Sequence, residues 1–249
     1  MMNLKGTRVT WLGHATVLVQ TAKGTNILID PFITGNPKYP KDFVLPEKIH
    51  YILATHGHGD HISDVVPVAA KHYSTVVAIY ELAAYFEEKG VAHTVGMNLG
   101  GTVQLDDVAA TMVEAKHSSA AQDEDGVHDV GVAAGFVLTI ADGPVLYHAG
   151  DTAVFGDMKL IRDLYRPELA ILPIGGHFTM TEGSSAGREL SGGENHPAHP
   201  LRNLPAADRN AGRTGGIGRC RRPGGAMEAR RNYRIARGGN HLFRPLAVH

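Results

Sequence analysis

Residues 55–61 read "THGHGDH", three histidines and one aspartate in seven positions. His56 and His58 stand two apart, and alternate side chains of extended backbone share a face. Both imidazoles can therefore reach one ion. Gly57 and Gly59 are expected to relieve steric limits in a tight turn. Asp60 and His61 then face a second position as a helix begins. Imidazole and carboxylate donors suit zinc or a similar first-row ion such as manganese. The competing reading is a chance run of surface histidines. Four potential ligands at H-x-H-x-D-H spacing, directly after an apolar run, argue against it.

Working outward, that apolar run ("KIHYILATH", 48–56) reads as a strand delivering the chain to the cluster. Upstream, residues 7–21 ("TRVTWLGHATVLVQT") alternate and read as one strand. A second, "TNILIDPF" (25–32), stops at Pro31. Downstream, residues 61–72 ("HISDVVPVAAKH") read as one helix beginning inside the cluster. "TVVAIY" (75–80) reads as strand and "ELAAYFEEKG" (81–90) as helix, stopped by Gly90. Residues 102–119 read as two strands about a turn, and 131–152 as a hairpin ending on a histidine–aspartate loop. "MKLIRDLY" (158–165) is a short helix and "ELAILPIGG" (168–176) a strand. Strand pairs followed by helices predict an α/β sandwich, sheets covered by helices.

The chain has 249 residues, 43% hydrophobic, enough for one large domain or two small ones. A net charge of −1 gives no overall pull toward nucleic acid or an anionic membrane. One cysteine, Cys220, excludes an internal disulfide and argues against thiolate ligands. No N-terminal stretch reads as a signal peptide and no apolar run reaches spanning length, so a cytoplasmic protein is expected.

The average conceals a division near residue 180. Residues 1–180 hold nine lysines, three arginines and 20 acidic residues, net −8. Residues 181–249 hold no lysine, twelve arginines and five acidic residues, net +7. Apolar periodicity stops at the same point.

One loop supplies too few ligands for a metal. His117 in "EAKHSS", and His148 and Asp151 in "YHAGDT", are the remaining candidates. Alone, each is more often structural, since aspartate in a G-D-T turn is a common turn former. Together with the cluster they supply a third histidine and a carboxylate able to bridge two ions.

The order H-x-H-x-D-H, a single histidine, then G-D-T resembles the metallo-β-lactamase superfamily. "WLGHAT", "ILIDPFITGNP", "YHAGDTAVFGDMKLI" and "LPIGGHFTM" are similar to its L-ascorbate-6-phosphate lactonase-like branch of metal-dependent hydrolases, almost continuously over residues 7–180. The resemblance implies an αββα sandwich with two divalent metal ions, zinc or manganese, at one edge. His56, His58 and His117 would hold the first ion and Asp60 and His61 the second, with Asp151 bridging. It places His14 and His177 against substrate; without it, each is equally a buried, hydrogen-bonded histidine. Asp30 reads as a carboxylate orienting a ligand histidine or as a strand-end turn former. The implied reaction is hydrolysis of an ester, lactone or phosphoester of a small molecule. Two ions sharing a water would lower its pKa so that hydroxide is present at neutral pH, and Asp60 would orient it and shuttle its proton. A nuclease of the same superfamily would want a basic channel, which a net −8 head does not suggest. Neither a nucleic acid nor a membrane partner is expected, and a homo-oligomer stays open.

The family has one further ligand, a histidine in a segment like "PIHYGTFP" some twenty residues beyond "GGHFTM". This chain has no such segment. Residues 197–205, "PAHPLRNLP", can be encoded CCT GCC CAT CCA CTA CGG AAC CTT CCC. Read one base on, this gives "LPIHYGTF". In that frame Met227–Glu228 must contain TGG, a tryptophan codon. We therefore read residues 1–180 as the hydrolase domain, incomplete at its C-terminal end, and 181–249 as an out-of-frame, poorly packed tail. The second metal position is expected to be impaired, and a non-catalytic metal-binding remnant is the rival of another class.

Overall fold

The computed structural model describes residues 2–181 and 233–237. The first sheet contains β1 (Met2–Leu4), β2 (Thr7–Trp11), β3 (Val17–Gln20), β4 (Asn26–Ile29) and β5 (Tyr51–Leu53). Helices α1 (Gly59–Ile62) and α2 (Val65–His72) follow, then β6 (Thr75–Ile79), α3 (Tyr80–Glu88) and β7 (Thr94–Met97). The seven strands lie in chain order. The first four pair antiparallel through short turns. From β4 onward the pairs are parallel, because long connections, two of them helical, return the chain to the same end each time.

The second sheet contains β8 (Thr102–Leu105) and β9 (Val108–Glu114). A separate ribbon follows, β10 (Ala120–Asp123) and β11 (Gly126–Asp129). The sheet resumes with β12 (Ala134–Ile140), β13 (Val145–His148), helix α4 (Met158–Tyr165) and β14 (Leu169–Pro173). Its last strand is β15 (Tyr233–Arg237), and the order is β15-β14-β13-β12-β9-β8. These elements belong to one compact unit.

Strand periodicity builds the layers. Along β12–β14, Phe136, Leu138, Leu146, Leu169 and Ile171 join the main core with residues of the first sheet. Their neighbours Val137, Tyr147, Ala170 and Leu172 form a separate cluster with Met158 and Ile161 of α4. Alternation thus gives one face to the partner sheet and the other to a helix. The first sheet is apolar on both faces, with Ile27, Leu28 and Ile29 all buried. Val65, Val68, Leu82 and Phe86 of α2 and α3 share its core. This is the expected αββα sandwich.

Four elements depart from the expectation. Residues 7–21 are a hairpin, not one strand: the turn at Gly13 (φ 97°) and His14 (φ 54°) is closed by Leu12 N–H to Thr16 O at 2.8 Å. Residues 61–72 form two helices, because Asp64 has another task. Its carboxylate accepts from Ile33 N–H (2.7 Å), Thr34 N–H (2.9 Å) and Thr34 Oγ1 (2.7 Å). The β10–β11 ribbon was not expected, its residues being small, polar and without apolar alternation. Finally, β15 pairs antiparallel with β14 from Leu169↔Arg237 to Pro173↔Tyr233. The tail was expected to be poorly packed; residues 233–237 add one strand, which the sequence pattern did not suggest, and the rest of the tail lies outside the described residues. Among the described residues no helix is long and apolar enough to cross a membrane.

Candidate metal centre

The cluster forms where strand ends meet. Beyond β5, Thr55 is clamped to Asp30, which follows β4: its N–H donates to Oδ1 at 2.8 Å and its hydroxyl to Oδ2 at 2.7 Å. Thr55 Oγ1 also lies 3.0 Å from His56 Nδ1. Its only hydrogen goes to Asp30, so it accepts from His56 Nδ1–H. That fixes the His56 tautomer and leaves Nε2 with its lone pair. Gly57 is required by space rather than by its backbone angles, since an added Cβ would lie 2.4 Å from Val130 Cγ2 and 2.9 Å from Ala120 C. At Gly59 a Cβ would meet nothing within 4 Å, so the expected steric need is absent there.

The other loops are tied to this one. Lys116 N–H donates to Thr152 Oγ1 at 2.9 Å, and Ala153 N–H to Lys116 O at 3.1 Å. These bonds set His117 beside Asp151. Gly150 (φ 61°) lets the Asp151 turn pass Ala134 O, 2.7 Å from where a Cβ would stand.

Among the described residues three donor groups result, each with its nitrogen and oxygen atoms within 4.8 Å of one another: His56, His58 and His117; His14, Asp60 and His61; and His56, His61 and Asp151. The predicted ligands therefore converge, with Asp151 in a group linking the two sets. His61 donates from Nδ1 to Asp30 Oδ2 at 2.8 Å, which supports the reading of Asp30 as orienting a ligand. Its Nε2 is buried without a hydrogen bond, 3.6 Å from Asp151 Oδ1. His117 Nε2 lies 3.7 Å from Asp151 Oδ2. These gaps are too long for hydrogen bonds. They match the roughly 3.4 Å between donors that bond one tetrahedral ion at about 2.1 Å.

Electrostatics agree. Burial, then His61, holds the His56 imidazole well below the usual histidine pKa, and burial lowers His58 as well. Both stay neutral, the form that binds metal. Burial acts downward on His61 too, but Asp151 and Asp30 overcome it and push that pKa up to about 10.

Not every candidate joins. His148 is buried with Nε2 2.9 Å from Ala15 O, and Nδ1 accepts from Gly150 N–H; it belongs to none of the donor groups. His177 is exposed, its ring 4.4 Å from that of Phe178. Its loop is tied to the centre through Met180 N–H to Thr152 O at 3.0 Å. The sequence reading passed over Thr55, Ser118 (Oγ 3.3 Å from His58 Nε2) and Ser119, which accepts from Gly57 N–H. Hydroxyl residues beside histidines are too common to signal this alone.

A two-sheet sandwich gathering histidines and aspartates at one edge is the scaffold of metal-dependent hydrolases. The chain belongs to the beta-lactamase superfamily domain family, whose model matches residues 25–199. It is 50% identical over 179 residues to a UPF0173 metal-dependent hydrolase of Koribacter versatilis, covering 72% of this chain and 77% of that protein. It is 46% identical over 176 residues to one of Archaeoglobus fulgidus, covering 70% and 73%. Among solved structures, Igni18, a metallo hydrolase from Ignicoccus hospitalis, aligns with a TM-score of 0.62 at 33% identity, covering 74% of this chain and 78% of that one. A possible metal-dependent hydrolase from Veillonella parvula, at 19% identity and a TM-score of 0.53 over 73% and 78%, shares the fold.

Proposed function

We propose that this protein hydrolyses an ester, lactone or phosphoester bond of a small molecule, using two divalent ions, zinc or manganese. The observation that carries this is the spacing of 3.6 and 3.7 Å between Asp151 and the ring nitrogens of His61 and His117. His56, His58 and His117 would hold one ion, Asp60 and His61 the other, with Asp151 between them. Bound ions supply an acidified water and polarise the scissile group. Asp60 is half-buried, with Oδ2 3.3 Å from His14 Nε2; its carboxylate would orient the attacking water and carry its proton. Buried Asp30 keeps His61 and, through Thr55, His56 in ligand orientation.

A cavity of about 500 Å³ begins at Gly57 and Gly59, the residues flanking His58. Ile62, Val66 and Phe86 give it apolar walls. Its one lysine, Lys89, is already paired with Asp123 at 2.6 Å and Asp125 at 3.6 Å. A neutral, partly apolar group suits such a space better than a phosphate chain, which weighs against the nuclease reading. The −8 charge of residues 1–180 weighs the same way. The cytoplasmic location stays part of the proposal.

We also propose that residues 181–249 are read out of frame. One shift permits the absent histidine in family order, and the relatives extend beyond the span they share with this chain, 77% of the Koribacter protein. The remnant reading draws on the same missing histidine. Both are tested by expressing the chain as written beside a frame-repaired version. The repaired chain is expected to unfold cooperatively and to turn over at least one of a panel of esters, lactones and phosphodiesters, the written chain far more slowly. Equal activity in the two would remove the frameshift idea. No turnover by either, with metal bound, would remove the hydrolase reading.

A further inference from the structure

The turn between β2 and β3 carries a histidine in a conformation that histidine does not take by default. His14 has φ 54°, the left-handed region, which a non-glycine residue occupies only when its surroundings hold it there. Here they do. Leu12 N–H donates to Thr16 O, and Trp11 Nε1 donates to His14 O at 2.7 Å. Thr16 Oγ1 donates to Asp30 O at 2.7 Å and accepts from Phe32 N–H at 3.1 Å. His148 Nε2 lies 2.9 Å from Ala15 O. The turn is thereby bolted to Asp30, the residue that aims His61, and to β13, the strand that leads to Asp151.

What this rigid turn presents is the His14 ring, 7% exposed. Nε2 lies 3.3 Å from Asp60 Oδ2, and the ring meets that of His61 edge-on at 4.8 Å between centroids. The three residues offer donor atoms within 4.8 Å of one another. His148 gives the contrast. It is buried in the same region, yet it engages the backbone of Ala15 and Gly150, as a structural histidine does. His14 faces a carboxylate and an imidazole already assigned to an ion.

We infer that His14 is a protein ligand of the second ion, completing with Asp60 and His61 the position that the absent C-terminal histidine leaves short. This rests on the two-ion reading above and changes the part given to His14, from substrate contact to metal ligand. The ring is carried by the turn between β2 and β3, so it needs nothing encoded after Met180.

The test uses the full chain as written and His14→Asn, because asparagine tolerates a left-handed turn and preserves the backbone while removing the imidazole. Metal-free protein is titrated with zinc and separately with manganese, and bound metal per chain is measured after dialysis. Cobalt-substituted protein gives the ligand-field spectrum of each position. The written chain is expected to take up two ions, the second weakly for want of the C-terminal histidine, and His14→Asn to lose that weaker one. That ion's affinity should fall by more than about a hundred-fold, the upper end for residues that merely support a ligand. The first ion and the thermal unfolding of the metal-free protein should be unchanged, which separates ligand loss from misfolding. Two ions held equally by both chains, or a single ion in both, would overturn the inference. Activity is read separately. Absence of turnover by the frame-repaired chain with metal bound would sink the hydrolase reading, while loss of the second ion in His14→Asn would still leave His14 as a ligand.

Discussion

Two clusters of charged and histidine side chains in this molecule differ most in their burial and spacing. At the metal centre, His56, His61, Asp30 and Asp151 are 0–1% exposed. Beside α3, Asp123 gathers Lys89 Nζ at 2.6 Å, His128 Nε2 at 2.8 Å and Tyr85 OH at 3.0 Å, in contact with solvent. In the second cluster every distance is that of a hydrogen bond or ion pair, and the geometry is complete in itself. In the first, Asp30 is fully engaged, but the gaps from Asp151 to His61 and His117 are 3.6 and 3.7 Å. Burying polar groups at such spacing costs free energy unless something fills the gap. Separation and burial together, more than residue type, distinguish a site from a structural knot.

The contrast can be broken at its strongest point. Asp151→Asn keeps the shape and removes the charge facing His61 and His117. Turnover is expected to fall by more than about a hundred-fold, with bound metal reduced. Full metal content and activity would show that the 3.6–3.7 Å gaps are not donor spacings. Asp30→Asn should act more weakly. It leaves the donor atoms in place but loosens His61 and the Thr55–His56 link, so metal affinity is expected to fall about 10–100-fold, read from competition with a chromophoric chelator. An effect as large as that of Asp151→Asn would mean that Asp30 does more than orient.

At the other cluster Asp123→Asn should leave bound metal unchanged, and a fall in metal content would erase the distinction drawn here. Its signature lies in acid. The bond from Lys89, then that from His128, holds the Asp123 carboxyl well below the usual carboxylate range. A depressed folded-state pKa contributes stability above the unfolded value and loses it as pH falls through the folded one. Wild-type and variant should therefore differ slightly in thermal unfolding at neutral pH and converge in strong acid. The effect is small because exposed pairs are screened by solvent.

Much of the centre was legible. His56, His58, Asp60 and His61 announce themselves by spacing, because two-residue periodicity and an adjacent helix start put donors on shared faces. His117 and Asp151 were legible as the residues that could finish the set, and the sheet edge brings them there. His14 was legible only as a histidine in a motif. Its turn was hidden inside what read as a single strand, since "WLGHAT" keeps alternation up to the point where Gly13 reverses the chain. The β10–β11 ribbon left no apolar pattern, because its residues are held by the Asp123 knot and by contact with Gly57 more than by a core of their own.

The sequence by itself determined the donor chemistry, the alternating strands that make a two-sheet sandwich and the compositional break near residue 180, because these depend on residue type and local period. Only the tertiary structure decided which histidines bring their donor atoms together and which serve the backbone. His14 and His148 are alike in one dimension. They part because separate strand ends carry one ring to Asp60 and the other to a carbonyl 133 positions away along the chain.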